Sequence, residues 1–178
     1  MASSRNRPEP PNLDRFLRFI AGDDLGLVIR SHLALEVTLN TVIESESESS
    51  IRDLERVGFM AKVDEVTRLG RLPADARPSF VIANKIRNDF AHRLDARITE
   101  ERATEFLASF DPTQWDGFIV RAHQAAVAGT PRDRVGFCYA TLFIIAASYG
   151  GLILEILASM PSRKMGPDPR SPLDAVPG

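Results

Sequence analysis

The chain has 178 residues, with 22 basic and 24 acidic side chains, three histidines and one cysteine. Its length is that of one domain with a sizeable hydrophobic core. The net charge of −2 excludes the broadly basic surface of a general nucleic-acid binder. One cysteine excludes a disulfide framework, and three histidines without HExxH spacing argue against a bound transition metal. We therefore expect neither a metal nor a cofactor.

Both ends of the chain are polar and rich in proline. Residues 1–11 (MASSRNRPEPP) contain no apolar segment of the kind found in signal peptides, and residues 160–178 have no helical period. We expect two disordered tails that flank one helical domain at 12–159, in a cytoplasmic protein. Within the domain, the acidic, serine-rich stretch 45–50 (SESESS) is typical of a solvated loop.

The interior of the chain has the apolar spacing of amphipathic helices, and no window alternates as a strand would. The predicted helices are, in chain order, a short one after Asn12, residues 24–44, one or two within 50–69 with a break at Gly58, residues 79–92 with Pro78 in the first turn, a helix capped by Thr99 that runs to about Phe110, residues 112–128, and a last helix from Thr130–Pro131 to about Ser159. The fold class is therefore all-α.

The last helix contains 20 consecutive uncharged residues, 135–154, which is long enough to cross a bilayer. The alternative is a central helix that is buried on all sides within a bundle or a subunit interface. Hydroxyl side chains and the pair Gly150–Gly151 lower the hydrophobicity of this stretch, and no basic cluster anchors one side of it. These features favour a long buried C-terminal helix and no membrane partner.

The most informative segment for function is 82–94 (IANKIRNDFAHRL). On a helical wheel, Ala83, Ile86, Phe90 and Leu94 form one apolar stripe. A polar arc lies beside this stripe and contains Asn84, Arg87, Asn88 and His92. The long side chain of Arg87 and the ring of His92 are predicted to face a common groove.

These residue types suit phosphodiester chemistry. A guanidinium binds two phosphate oxygens at once through a bidentate pair of hydrogen bonds and keeps its charge. A histidine exchanges protons near neutral pH. The alternative is a structural network, in which His92 lies at a helix C-terminus and Arg87 forms an ion pair. The residues alone do not decide between the two interpretations.

The helix predicted at 24–44 carries His32, Glu36 and Asn40 at spacings of four, and His32 and Glu36 lie within an arc that is otherwise apolar. A carboxylate on a core-facing stripe is costly unless a cation meets it. We expect Arg87 or His92 to be that cation. A salt bridge from Glu36 to another arginine near the surface is the alternative.

The string IRNDFAH, with Arg87, Asn88 and His92 in the order R-N-x3-H, resembles the signature of the HEPN superfamily. The preceding stretch, GFMAKVDEVTRLGRLPADARPSFVIANKIRNDFAH, is most similar to the mannitol operon repressor branch of that superfamily. HLALEVTLN resembles the upstream helix of that branch, which carries an acidic residue. The likeness covers roughly residues 25–92 and, more loosely, the apolar helix after Pro131.

The resemblance implies an antiparallel helical bundle that forms a homodimer through the helices carrying the motif. Many HEPN proteins are metal-independent ribonucleases in toxin–antitoxin or phage-defence systems. For such an enzyme Arg87 and His92 are the expected catalytic pair, Asn88 supports them, and Glu36 occupies the upstream acidic position. The expected partners are RNA, a second copy of the chain and an antitoxin or regulatory protein. The neighbouring Asn84 and Arg93 are predicted to bind the substrate.

Other functions remain open at this level. The mannitol-repressor branch is described as regulatory, so a non-catalytic interaction module is the main alternative to an endoribonuclease. Helix-turn-helix DNA binding is disfavoured because no short glycine-bearing turn precedes a basic recognition helix. Residues 62–97 hold eight basic and five acidic residues, a local excess of +3 that limits any contact with RNA to a patch around Arg87.

Overall fold

The computed structural model describes residues 23–51, 53–110 and 117–152. Six α-helices lie in this part of the chain, namely α1 (Asp24–Ser45), α2 (Phe59–Arg68), α3 (Arg77–His92), α4 (Glu100–Ala108), α5 (Gly117–Val127) and α6 (Pro131–Tyr149). Short 3-10 helices at Leu54–Arg56 and Ala74–Ala76 precede α2 and α3, and the described residues contain no strand. The all-α prediction is therefore confirmed. The predicted helix after Asn12 and both predicted tails lie outside the described residues.

The helices begin where local capping chemistry allows them to begin. The Asp23 carboxylate accepts a hydrogen bond from the backbone N–H of Gly26 at 2.7 Å and caps α1. Thr99 caps α4 as predicted. At α6, Thr130 and Asp133 form a reciprocal capping box with Pro131 in the first turn, which explains the predicted start of that helix. Gly58 is the N-cap of α2, so the predicted break falls at that residue.

Two helices end in Schellman motifs, in which a residue with positive φ turns the chain. Gly70 (φ 71°) ends α2 and Gly151 (φ 76°) ends α6. After α6, the N–H of Leu152 donates to the carbonyl of Ala147 at 2.8 Å, and the N–H of Gly151 donates to that of Ser148 at 3.2 Å. The prediction that the last helix runs to about Ser159 was therefore wrong, because this turn ends it at Tyr149.

Helix α6 lies at the centre of the described bundle and packs against α1, α4 and α5, with a smaller contact to α3. Its buried residues are Val135, Gly136, Cys138, Tyr139, Thr141, Leu142, Phe143, Ala146 and Ala147. The Tyr139 hydroxyl donates to the carbonyl of Ala83 at 3.0 Å and ties α6 to α3, while its ring meets Phe106 edge-on at 5.4 Å. Burial raises the pKa of Tyr139 and also that of the Cys138 thiol.

The prediction of a buried C-terminal helix is confirmed, but the helix is not buried on every side. Phe137, Ala140 and Ile144 form a strip that remains partly exposed within the chain. Among the described helices, none has the combined length and apolarity that a bilayer crossing requires.

The stretch 45–50 is anchored to α2 by the buried carboxylate of Glu65. That carboxylate accepts hydrogen bonds from the Ser49 hydroxyl at 3.0 Å and from the Ser50 backbone N–H at 2.6 Å. Arg68 donates to it at 2.7 Å, and this bond, together with those from the two serines, holds the pKa of Glu65 well below its usual range. The stretch is largely exposed, as expected of a solvated loop, but Ser49 is buried against α2.

Candidate functional site

The site lies where α1, α2 and α3 pack together, and α3 supplies the residues of the R-N-x3-H string. The predicted apolar stripe of α3 is confirmed for Ala83, Ile86 and Phe90, which are all buried in the core. Leu94 does not belong to it. Helix α3 ends at His92, so the side chain of Leu94 follows the helix and is fully exposed. The stripe fixes the rotation of α3 and leaves Arg87 at the boundary between core and solvent.

Arg87 is half-buried and makes one side-chain hydrogen bond, in which its guanidinium donates to the amide oxygen of Asn88 at 3.0 Å. Within the described residues, no carboxylate lies within the 4.0 Å of an ion pair with Arg87. By contrast, the nearby Arg102 is paired with Asp89 at 3.0 Å. The ion pair expected from the structural interpretation of Arg87 is thus not found in the described part of the chain. Its positive charge is left available for an oxyanion.

His92 and Arg93 lie at the exposed C-terminal end of α3. His92 is in the last turn of the helix, and among the described residues no side chain forms a hydrogen bond with it. Arg93 is the C-cap residue and contacts Asp95 at 3.4 Å. Asn84 and Asn88 are half-buried on the same helix. Arg87 and His92 therefore lie on one helix without a bond between them.

Glu36 forms an ion pair with a residue that the sequence analysis did not consider. Its carboxylate accepts from the Lys62 ammonium at 2.6 Å, with 32% of the Glu36 side chain exposed and only 3% of Lys62. The prediction that Arg87 or His92 pairs with Glu36 was therefore wrong, and so was the alternative of a surface arginine. The missed signal is that Lys62 lies between Phe59, Val63 and Val66 on the apolar face of α2, where a buried ammonium requires a carboxylate.

The sequence analysis placed His32 on α1, one turn before Glu36, but gave it no role. It is 3% exposed, and its ring stacks on Phe59 with the ring centres 4.0 Å apart and the planes tilted by 41°. Its Nδ1 atom is buried and has no hydrogen-bond partner within the part of the chain that the structure describes. Burial, reinforced by the positive charge of Arg87 and opposed by Glu36, lowers the pKa of His32 to about 4.

The same row of α1 contains another buried acceptor without a partner, the amide oxygen of Asn40. His32, Glu36 and Asn40 stand one helical turn apart, as the sequence spacing predicted. Most buried polar atoms in folded proteins have a partner, so two unpartnered atoms on one row of a helix are unusual. They flank the only member of the row that is paired, Glu36.

Together these side chains form a polar cluster between α1, α2 and α3 that we call the Arg87 cluster, made of His32, Glu36, Lys62, Arg87 and Asn88. Glu36 and Lys62 offset each other's charge, the imidazole of His32 is neutral at neutral pH, and Arg87 contributes the remaining positive charge. A guanidinium beside a neutral imidazole can bind an oxyanion and accept or donate a hydrogen bond next to it. Within the described residues, no three His, Cys, Asp or Glu side chains come together as metal ligands would.

Comparison with known proteins assigns no family to this chain. It matches no protein-family model, no curated protein and no solved structure. What the Arg87 cluster does must therefore be inferred from the chemistry of its own side chains.

Proposed function

We propose that the protein is a metal-independent endoribonuclease with a HEPN-like bundle fold. The observation that carries the proposal is the state of Arg87, whose guanidinium is half-buried and bonded only to a neutral amide within the described residues. An arginine placed for stability alone is normally paired with a carboxylate when it is removed from water. Arg87 is instead half-buried with no paired carboxylate among the described residues, as expected of a residue that binds a phosphate.

The proposed reaction divides the chemistry between two side chains of α3. Arg87 holds the scissile phosphate and offsets the charge that develops on its oxygens. His92 exchanges a proton during attack by the adjacent ribose 2′-hydroxyl, which displaces the 5′-oxygen of the next nucleotide. The products are a 2′,3′-cyclic phosphate and a free 5′-hydroxyl, and no metal enters the step. Asn88 fixes the guanidinium through its 3.0 Å hydrogen bond, and Asn84 and Arg93 contact the flanking nucleotides.

Glu36 takes a positioning role in this scheme and is not expected to touch the substrate. Its ion pair with Lys62 holds α1 against α2 and keeps its negative charge from Arg87. A free carboxylate at that place would compete with a phosphate for the guanidinium. Glu36 therefore acts on the reaction through Lys62 and through the packing of α1.

The proposed protein is a cytoplasmic homodimer, and exposed apolar side chains on α1 and just after α3 support the dimer. Leu25 and Leu33 on α1 are 50% and 57% exposed, and Leu94 just after α3 is fully exposed. Exposed apolar side chains of this size become covered when two chains associate through them. A second copy at this surface would bring a second Arg87 and His92 to the same groove. An antitoxin or regulatory protein that covers the groove is a further expected partner.

The test is RNA cleavage in EDTA by the purified wild-type chain and by two variants, Arg87→Ala and His92→Ala. Each substitution is expected to lower the cleavage rate by at least about 100-fold, the usual loss for an electrostatic or proton-transfer group. Arg56→Ala is the matched control, because Arg56 is an exposed arginine paired with Asp53 on a separate 3-10 helix. Cleavage that is equal in all four proteins, or absent from the wild type, would contradict the proposal.

A non-catalytic regulatory or interaction module is the second candidate. It is favoured by the position of His92 in the last turn of α3, where an imidazolium stabilises the helix end without any chemistry. In that case His92→Ala lowers thermal stability or weakens the dimer, and no form of the chain cleaves RNA. A His92→Ala variant with an unchanged melting temperature and an unchanged dimer would exclude this candidate.

A further inference from the structure

The imidazole of His32 is the part of the Arg87 cluster that the R-N-x3-H string does not account for. It comes from α1, it is almost fully buried, and the stacking on Phe59 holds its ring in place. Its buried Nδ1 nevertheless lacks a hydrogen-bond partner in the structure. A buried ring nitrogen left unpaired is uncommon in folded proteins and points to a partner that arrives from outside.

The charged groups around His32 come from three helices. Glu36 lies on its own helix, Lys62 on α2 and Arg87 on α3, while α6 brings the neutral Tyr139 close enough to feel the charge of Arg87. Because Glu36 and Lys62 are bonded to each other, the charge that most opposes protonation of His32 is that of Arg87. Any anion held by Arg87 would remove this opposition.

We propose that His32 belongs to the same oxyanion site as Arg87 and that the oxyanion is a phosphodiester group of RNA. Binding of the phosphate to Arg87 is coupled to uptake of a proton by His32, which then donates a hydrogen bond to the phosphate or to an adjacent ribose oxygen. The inference rests on the phosphate-binding role proposed for Arg87 but does not require that the chain cleaves RNA. It adds a second imidazole to the proposed function, since His92 lies at the exposed end of α3 and His32 is buried within the Arg87 cluster.

The coupling follows from linkage. If an anion makes protonation of His32 easier, then protonation of His32 must strengthen binding of the anion by the same factor. An anion held by Arg87 favours the charged imidazole, so a dianion should bind roughly fourfold tighter at about pH 5 than at about pH 7. Affinity of the site for oxyanions should therefore rise as the pH falls.

The test measures the binding of sulfate, which stays dianionic over this pH range, through the backbone amide signals of Asn88 and its neighbours in NMR spectra. Sulfate is compared with chloride at equal ionic strength. All proteins carry His92→Gln, so that His92 cannot supply the proton. They are the otherwise unchanged chain, His32→Gln, His32→Phe and Arg87→Ala. His32→Phe preserves an aromatic ring against Phe59, which keeps the comparison valid if His32→Gln folds poorly.

The His92→Gln protein should bind sulfate about fourfold tighter at about pH 5 than at about pH 7, and the variants at His32 should bind it with an affinity that does not depend on pH. Arg87→Ala should lose most of the binding. A flat affinity in the His92→Gln protein, a pH dependence that persists in His32→Phe, or full binding by Arg87→Ala would each overturn the inference.

A second arm replaces sulfate by a 2′-deoxy dinucleoside phosphate, which carries a phosphodiester but cannot be cleaved through its own 2′-oxygen. A pH dependence in the same direction, but smaller because a phosphodiester carries one negative charge, is expected with this probe. Coupling to sulfate alone would show that the site takes a free oxyanion and would overturn the assignment to RNA. The cleavage assay separates this inference from the proposed function. If binding depends on pH through His32 but RNA is not cleaved, the oxyanion site stands and the ribonuclease proposal is rejected. If RNA is cleaved but binding does not depend on pH through His32, only the role of His32 is rejected.

Discussion

The buried imidazole of His32 makes the stability of the folded chain depend on pH in a direction that can be worked out. Its pKa is lowered from 6.5 to about 4, mainly by burial and also by the charge of Arg87. Between these two values the unfolded chain binds a proton at this position and the folded chain does not. The free energy of unfolding therefore falls as the pH falls from about 7 towards 4. The stability that the neutral His32 contributes is fully present only above its pKa in the unfolded chain, 6.5.

The magnitude follows from the two values. Each pH unit inside the window is worth at most about 1.4 kcal/mol, so the folded chain should lose up to about 2 kcal/mol between pH 7 and pH 5 through His32 alone. Glu65, whose pKa is held below its usual range by Arg68 and the two serines, contributes only at lower pH. The range from pH 7 to pH 5 thus isolates the imidazole from this carboxylate.

The assay is urea denaturation of the wild type, His32→Phe and His92→Gln at several pH values from 7 to 5, in a chloride buffer without sulfate or phosphate. The wild type and His92→Gln should both lose stability as the pH falls, because both retain the buried His32. His32→Phe should lose less than half as much between the same two pH values. An equal slope in wild type and His32→Phe would refute the reasoning and would mean that His32 is readily protonated in the folded chain.

Two further predictions follow from the packing and are measured by urea unfolding at neutral pH. Lys62→Met should change the free energy of unfolding by less than about 1 kcal/mol, because an apolar side chain of similar length replaces the buried ammonium. Glu36→Gln should cost about 3 kcal/mol, because it leaves that ammonium unpaired. A larger loss in Lys62→Met than in Glu36→Gln would contradict this prediction. Gly151→Ala should cost about 1 kcal/mol because its φ of 76° disfavours a Cβ, while Gly151→Asn should cost less, because asparagine tolerates the left-handed region better than alanine. Equal losses in the two variants of Gly151 would show that the cost does not come from the left-handed turn after α6.

The local features of the fold could be predicted from the sequence because their signals lie within one or two helical turns. The residues Thr99, Thr130 and Pro131 mark the starts of α4 and α6, since a cap bonds to a backbone N–H only three residues away. The periodicity of Ala83, Ile86 and Phe90 fixed the buried face of α3 for the same reason. From these signals the all-α class and the placement of Arg87 beside the core both follow.

The site itself needed the tertiary structure, because its contacts join residues that are far apart in the chain. Glu36 and Lys62 are 26 positions apart, and which cation reaches Glu36 depends on how α1 and α2 cross. The burial of His32 against Phe59 depends on the same crossing, and its exposure to the charge of Arg87 depends on the approach of α3. The sequence determined which residue types stand on each helical face. Only the packing of the helices decided that Lys62 offsets Glu36 and that Arg87 is left beside an unpartnered imidazole.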